Sequence, residues 1–231
     1  MCLRTAVLAI HPGALGDCIL LGRVLERLGG EVTFLGHAAV AKLLAGLGVV
    51  QKTLDFDLLP MHEIFTDATI EQGRLAELLG ACDRLISVYA EGNPAAQQRL
   101  ARDCGAKEAV FLPIRPPADF PGHLAELWLK KLDSPLRKED LCTSAWCVPA
   151  DWRQSARRRL AQAGVTAAER YVVLHPGAGG AKKRQSIEWF IEAAEALKTQ
   201  LTCRCVFVLG PVEREMFGKN EINFHNHPIM D

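Results

Sequence analysis

Short apolar, β-rich runs alternate with amphipathic helical patterns along most of this chain, and few folds accommodate that alternation. Residues 5–10 (TAVLAI) read as a strand bounded by His11-Pro12-Gly13. Leu21, Val24, Leu25 and Leu28 then fall at i, i+3, i+4 and i+7, one face of a helix that Gly29-Gly30 ends. Strands over 31–35, 49–54, 84–89 and 109–112 follow, interleaved with helices over 39–47, 70–79 and 95–102. Near-continuous apolar strands joined through helices specify a parallel sheet covered on both faces. The expected class is therefore α/β, with a doubly wound parallel sheet.

The rhythm breaks between residues 113 and 149. Six of the twelve prolines lie there (Pro113, Pro116, Pro117, Pro121, Pro135 and Pro149), around a short helix at 123–132. This marks the end of a first domain, residues 1–149, and a linker. A second βα series occupies 150–231. It opens with a basic helix over 152–163, whose Arg153, Arg157, Arg158 and Arg159 read as a solvated face. A strand over 171–175, a helix carrying Ile187, Phe190, Ile191, Ala194 and Leu197, and a strand over 204–209 follow. Two strands do not make an independently stable sheet of this kind, so the second domain is expected to be incomplete. Residues 218–228 continue neither pattern, and His225-x-His227 reads as part of a frayed tail rather than a metal site.

Composition narrows the function classes. Equal numbers of acidic and basic residues and a pI of about 7.0 lack the basic field of a nucleic-acid binder. One local site can still bind a small anion. The eight cysteines (Cys2, Cys18, Cys82, Cys104, Cys142, Cys147, Cys203 and Cys205) are scattered without a C-x-x-C. That pattern reads as a reduced, cytoplasmic protein with neither a disulfide framework nor a zinc site. The first apolar run is too short for a signal peptide, and no stretch approaches the ~18 apolar residues of a membrane span.

Both domains place a glycine-containing loop between their first strand and the next helix, where open α/β sheets bind ligands. The first is His11-Pro12-Gly13-Ala14-Leu15-Gly16-Asp17, and the second runs from His175 to Arg184. Gly13-x-x-Gly16 lacks the third glycine of a dinucleotide fingerprint. The second loop is no P-loop, because Lys182 does not directly follow the last glycine and no hydroxyl follows it. A cationic glycine-rich loop at a helix start suits a diphosphate; solvated lysines on a flexible loop would look the same. Asp17 also has two readings, an N-cap of the first helix or a general base at a strand end.

Taken together, these segments resemble glycosyltransferase family nine, the ADP-heptose:lipopolysaccharide heptosyltransferases and their relatives. The matching stretches are Gly13-Ala14-Leu15-Gly16-Asp17-Cys18-Ile19-Leu20 with Val24-Leu25, and Val173-Leu174-His175-Pro176-Gly177-Ala178-Gly179-Gly180-Ala181-Lys182-Lys183. Val208-Leu209-Gly210-Pro211-Val212-Glu213-Arg214-Glu215 and Gly122-His123-Leu124-Ala125-Glu126-Leu127-Trp128-Leu129 complete them. The resemblance implies a GT-B fold of two Rossmann-like domains, the first binding the acceptor and the second the nucleotide-sugar. It implies inverting transfer of heptose from ADP-heptose to a lipopolysaccharide core or similar envelope glycan, at the cytoplasmic membrane face. Asp17 would be the general base. Gly13 and Gly16 would belong to the substrate-binding set, with Gly177, Ala178 and Gly179 lining the phosphate loop. Lys182 and Lys183 would meet the diphosphate, and Glu213 the nucleoside. No cofactor and no protein-held metal are implied, because lysines and helix dipoles can stabilise the leaving charge.

Two departures stand out. Gln185-Ser186 replace the family's tryptophan–proline pair after the lysine, with Ser186 a candidate N-cap. The family's later D-[ST]-G-x-x-H motif is nowhere in the sequence, so a truncated or altered reading frame is expected. The competing readings are a nucleotide- or glycan-binding fragment without catalysis and, against the missing third glycine, a nicotinamide-dependent oxidoreductase.

Overall fold

The computed structural model describes residues 5–66, 74–142, 145–178, 180–210, 213–215 and 227–230. The chain divides into two compact units, Met1–Val148 and Pro149–Asp231.

The first unit is built on five strands: β1 (Ala6–Ile10), β2 (Glu31–Gly36), β3 (Lys52–Asp55), β4 (Arg84–Ser87) and β5 (Glu108–Phe111). All pair in parallel, in the order β3-β2-β1-β4-β5. Its helices are α1 (Leu15–Leu28), α2 (Ala38–Gly46), α3 (Arg74–Leu79), α4 (Pro94–Asp103) and α5 (Leu124–Lys131). The inner strands β1, β2 and β4 carry buried apolar residues on both faces because both faces are covered. Val7, Ala9, Val32 and Phe34 pack with Leu21, Val24 and Leu25 of α1. Leu8, Ile10, Leu35 and Leu85 pack on the opposite side with Leu79, Ala96 and Leu100. Gly29, at a φ of 72°, ends α1 by donating its N–H to the Leu25 carbonyl at 3.1 Å. A left-handed backbone of that kind suits glycine. The helix expected over 70–79 is described from Arg74, its earlier part lying outside the described residues.

The proline-rich stretch is not a free linker. His123 caps α5 by accepting from the Ala125 N–H at 3.1 Å, while the Glu126 carboxylate accepts from the His123 N–H at 3.1 Å. Trp128 is fully buried and donates its indole N–H to the Pro113 carbonyl at 2.8 Å. Farther on, Trp146 lies under the Arg23 guanidinium, 3.8 Å from the ring centroid, and donates to Glu26 at 2.9 Å. Prolines punctuate this segment, but its aromatic and leucine side chains complete the core on the α1 side.

In the second unit α6 (Ala150–Gln162) precedes β6 (Tyr171–Leu174), α7 (Ile187–Leu201), β7 (Arg204–Val208) and β8 (Ile229–Met230). Ser186 caps α7, accepting from the Trp189 N–H at 3.2 Å. The sheet is parallel in the order β6-β7-β8. The expectation of two strands is thus corrected to three. β8 is only two residues long, too short to carry a hydrophobic period. It is held by hydrogen bonds from Phe207 N–H to the Pro228 carbonyl at 2.8 Å and from Leu209 N–H to the Met230 carbonyl at 3.0 Å. His227 is correspondingly buried rather than frayed. Its ring lies 5.8 Å from that of Phe207, and its Nε2 is 3.1 Å from Glu195 Oε1, without hydrogen-bond alignment. His225 lies outside the described residues. The core forms where α7 covers Cys205, Phe207 and Leu209, whereas Tyr171 and Val173 of β6 remain 47% and 51% exposed. Among the described residues, no helix is long and apolar enough to cross a membrane.

Candidate functional site

In a doubly wound sheet, ligands bind beyond the carboxyl ends of the strands, at the point where the strand order reverses. In the first unit that point lies between β1 and β4. Their backbones are tied together there by Val88 N–H donating to the Ile10 carbonyl at 3.0 Å, while His11 N–H donates to the Leu35 carbonyl of β2 at 2.9 Å on the other side of β1.

The loop after β1 carries Gly13 and leads into α1, whose first turn carries Gly16 and Asp17. Ala14 is the N-cap residue and provides no side-chain cap. The N-cap reading of Asp17 is therefore corrected. The helix starts at Leu15, so Asp17 is its third residue and sits half-buried in the first turn. A carboxylate there interacts favourably with the helix dipole while remaining open to a ligand. Its charge also acts on two neighbours. Burial holds His11 below the usual histidine range, and Asp17 opposes that effect. Burial pushes the Cys18 thiol up to about 11, and Asp17 adds to it.

The loop after β4 carries no glycine signature that sequence reasoning could single out. The Ser87 hydroxyl donates to the Tyr89 carbonyl at 2.9 Å and accepts from the Tyr89 N–H at 3.0 Å. Ala90 adopts a left-handed φ of 66°, Gly92 one of 79°, and Asn93 caps α4 by accepting from the Ala96 N–H at 3.1 Å. After β2, His37 donates through Nδ1 to Asp57 at 2.9 Å; this bond holds the imidazole above its ordinary value. Phe56 lies edge-on to both His37 and Tyr89, and Tyr89 likewise to Phe65. The only signal in sequence for His37, Phe56 and Tyr89 is their position just past strand ends.

The corresponding loop of the second unit follows β6. His175 donates through Nδ1 to the Val208 carbonyl at 2.8 Å, joining the ends of β6 and β7. Arg184 donates to the Ala178 carbonyl at 3.1 Å, folding the loop back on itself. Lys182 and Lys183 share one 3-10 turn, Ala181–Lys183, and both side chains are exposed. Gly179 lies outside the described residues. Glu213 is only 8% exposed, and its carboxylate occupies space that side chains at Gly177 and Gly210 would need. A β-carbon on Gly177 would come within 2.7 Å of Glu213 Cδ, and one on Gly210 within 2.6 Å of Oε2. Gly177 and Glu213 are thus brought together with Gly210, whose part the sequence did not disclose. Among the described residues, no three His, Cys, Asp or Glu side chains form a metal-holding group, and Cys18, Cys82, Cys104, Cys147, Cys203 and Cys205 are free thiols.

A parallel β3-β2-β1-β4-β5 unit followed by a second parallel unit, each with a glycine loop after its first strand, is a Rossmann-like arrangement, and likeness to solved glycosyltransferases places it in the GT-B fold class. Solved structures give that class its closer counterparts. A family 9 glycosyl transferase from Veillonella parvula matches 99% of this chain over 69% of its own length, with a TM-score of 0.69 and 18% identity. The E. coli ADP-heptose LPS heptosyltransferase II matches 96% over 70% of its length, with a TM-score of 0.65 and 14% identity. The E. coli heptosyltransferase WaaC, solved with ADP-2-deoxy-2-fluoro heptose, matches 98% over 76%, with a TM-score of 0.56 and 16% identity. At these identities the likeness is one of fold. No protein-family model matches the chain, and no curated protein matches it in sequence.

Proposed function

We propose that this protein is a glycosyltransferase of the heptosyltransferase kind, transferring heptose from ADP-heptose to a lipopolysaccharide core or similar envelope glycan with inversion. The observation that carries this reading is the fold likeness to heptosyltransferases over nearly the whole chain, joined to a half-buried aspartate, Asp17, beside the strand-order reversal. The first unit would bind the acceptor and the second the nucleotide-sugar. In the reaction, the acceptor hydroxyl oxygen attacks the anomeric carbon as its proton passes to Asp17. The bond from that carbon to the diphosphate oxygen breaks, and the nucleoside diphosphate leaves with its charge met by Lys183 and Lys182. Gly177, Ala178 and Gly179 would lie against the phosphates and Glu213 near the nucleoside.

The test is transfer from ADP-heptose to a lipid-linked core acceptor by the full chain. Asp17→Asn keeps size and removes basicity, and loss of a general base lowers rate by about 10²–10⁴-fold. An unchanged melting temperature with lost turnover is the expected result. Equal turnover would remove Asp17 from the chemistry. ADP binding without any transfer would leave a nucleotide-binding module instead.

A further inference from the structure

His11 is 1% exposed at the end of β1, directly beneath the loop that leads to Asp17. Its Nδ1 accepts the Gly13 N–H at 3.0 Å. A neutral imidazole that accepts at Nδ1 carries its proton on Nε2. That second nitrogen is buried and has no hydrogen-bond partner among the described residues; the ring meets the buried Trp128 edge-on at 6.1 Å. An apolar side chain of similar size would avoid an unsatisfied buried donor, so packing alone does not explain a histidine here. What distinguishes it from an apolar residue is the acceptor under Gly13.

Two further contacts involve the same ring. A β-carbon on Gly13 would lie 2.5 Å from His11 Cε1 and 2.8 Å from Nδ1, so only glycine lets the loop close this tightly on the imidazole. Cys18, the residue after Asp17, places its thiol 3.4 Å from His11 Nδ1, 3.4 Å from the His11 carbonyl and 3.5 Å from the Gly13 carbonyl. The ring therefore meets the loop at its start and the first turn of α1 just beyond Asp17. Burial favours the neutral ring that this arrangement requires.

We propose that His11 is a positioning residue whose neutral ring, accepting the Gly13 amide at Nδ1, fixes loop 13–17 and with it the Asp17 carboxylate. The catalytic consequence rests on the reading of Asp17 as base; the clamp itself does not.

The experiment uses the full chain in three measurements. In wild type, ¹⁵N spectroscopy of His11 should find Nδ1 unprotonated and Nε2 protonated. His11→Leu should speed amide exchange at Gly13 about tenfold, as expected for losing one part-buried hydrogen bond, and leave the amides of β1 and β2 unchanged. His11→Asn, whose side-chain oxygen can replace Nδ1, should restore most of the protection. In sugar transfer, His11→Leu should lower kcat with little change in donor KM, and His11→Asn should recover it. A proton on Nδ1, unaltered exchange at Gly13 in the leucine variant, or failure of asparagine to rescue would each overturn the clamp. Should the leucine variant fail to fold, the wild-type spectrum and the asparagine variant still decide. Absence of transfer by wild type would sink the glycosyltransferase reading, while the spectroscopic and exchange measurements would still judge His11.

Discussion

Glu213 and Gly177 offer a perturbation whose size follows from geometry. Alanine at 177 would put a β-carbon 2.7 Å from Glu213 Cδ, 2.8 Å from Oε1 and 3.0 Å from Oε2. Ordinary carbon contacts begin near 3.5 Å, so the carboxylate must retreat by about 0.8 Å or the β6 loop must shift. Overpacking of a filled site costs roughly 1–3 kcal/mol. The end of a glutamate is flexible, which points to the lower half of that range. The assay is a double-mutant cycle in urea denaturation, because coupling between touching residues isolates their contact. Gly177→Ala should destabilise by about 1–2 kcal/mol in wild type and by less than about 0.5 kcal/mol in a Glu213→Ala background. An equal cost in both backgrounds would refute the wedge and transfer the effect to the loop backbone. ADP titration of the same variants extends the test to function. Under the proposed donor site, Gly177→Ala should weaken binding through the displaced carboxylate.

Two further outcomes are expected. Lys183→Ala should weaken ADP binding by about 1–3 kcal/mol, the value of a charge-assisted hydrogen bond; unchanged affinity by calorimetry would make the loop lysines a solvated pair. His11 is held below its unfolded value near 6.5 by burial, so the unfolded chain takes up its proton first as pH falls. The His11 contribution should be complete above about pH 6.5 and be lost as the pH falls toward the lowered folded value. The exposed His37–Asp57 pair acts with the opposite sign, its contribution fading as pH rises through the raised value. The difference in urea midpoint between wild type and His11→Asn isolates the first effect, and a difference that stays flat from pH 7.5 to 5 would contradict it.

The parts of this fold legible in the sequence are those with a repeating pattern. Apolar runs gave the parallel strands, the i, i+3, i+4 spacing gave α1 and α7, and a serine just ahead of an apolar helix gave the Ser186 cap. What escaped depends on contacts across the chain. A two-residue strand has no period, so β8 looked like tail. Prolines around α5 suggested a linker because the sequence does not show Trp128 entering the α1 side of the core. Asp17 looked like a cap because the start of α1 was placed without knowing that Ala14 already holds an extended backbone. In the candidate site, both glycine loops were readable. The histidine beneath the first and the carboxylate wedged against the second were not, because neither contact has a sequence spacing that announces it.

The loop after β4 has a consequence for how any ligand at the strand-order reversal would bind. Ser87 holds Tyr89 through two hydrogen bonds, Gln97 donates to the Ala90 carbonyl at 3.1 Å, and Asn93 fixes the far end as a helix cap. These restraints keep Ala90, 7% exposed, in a left-handed conformation that disfavours a β-carbon, at a cost of order 1–2 kcal/mol. The strain is met once, when the unit folds. An arriving ligand finds this segment already ordered and forfeits little conformational entropy in contacting it. Recognition at this edge of the sheet should therefore carry a small ordering penalty, with the shape of the loop set by folding rather than by the ligand.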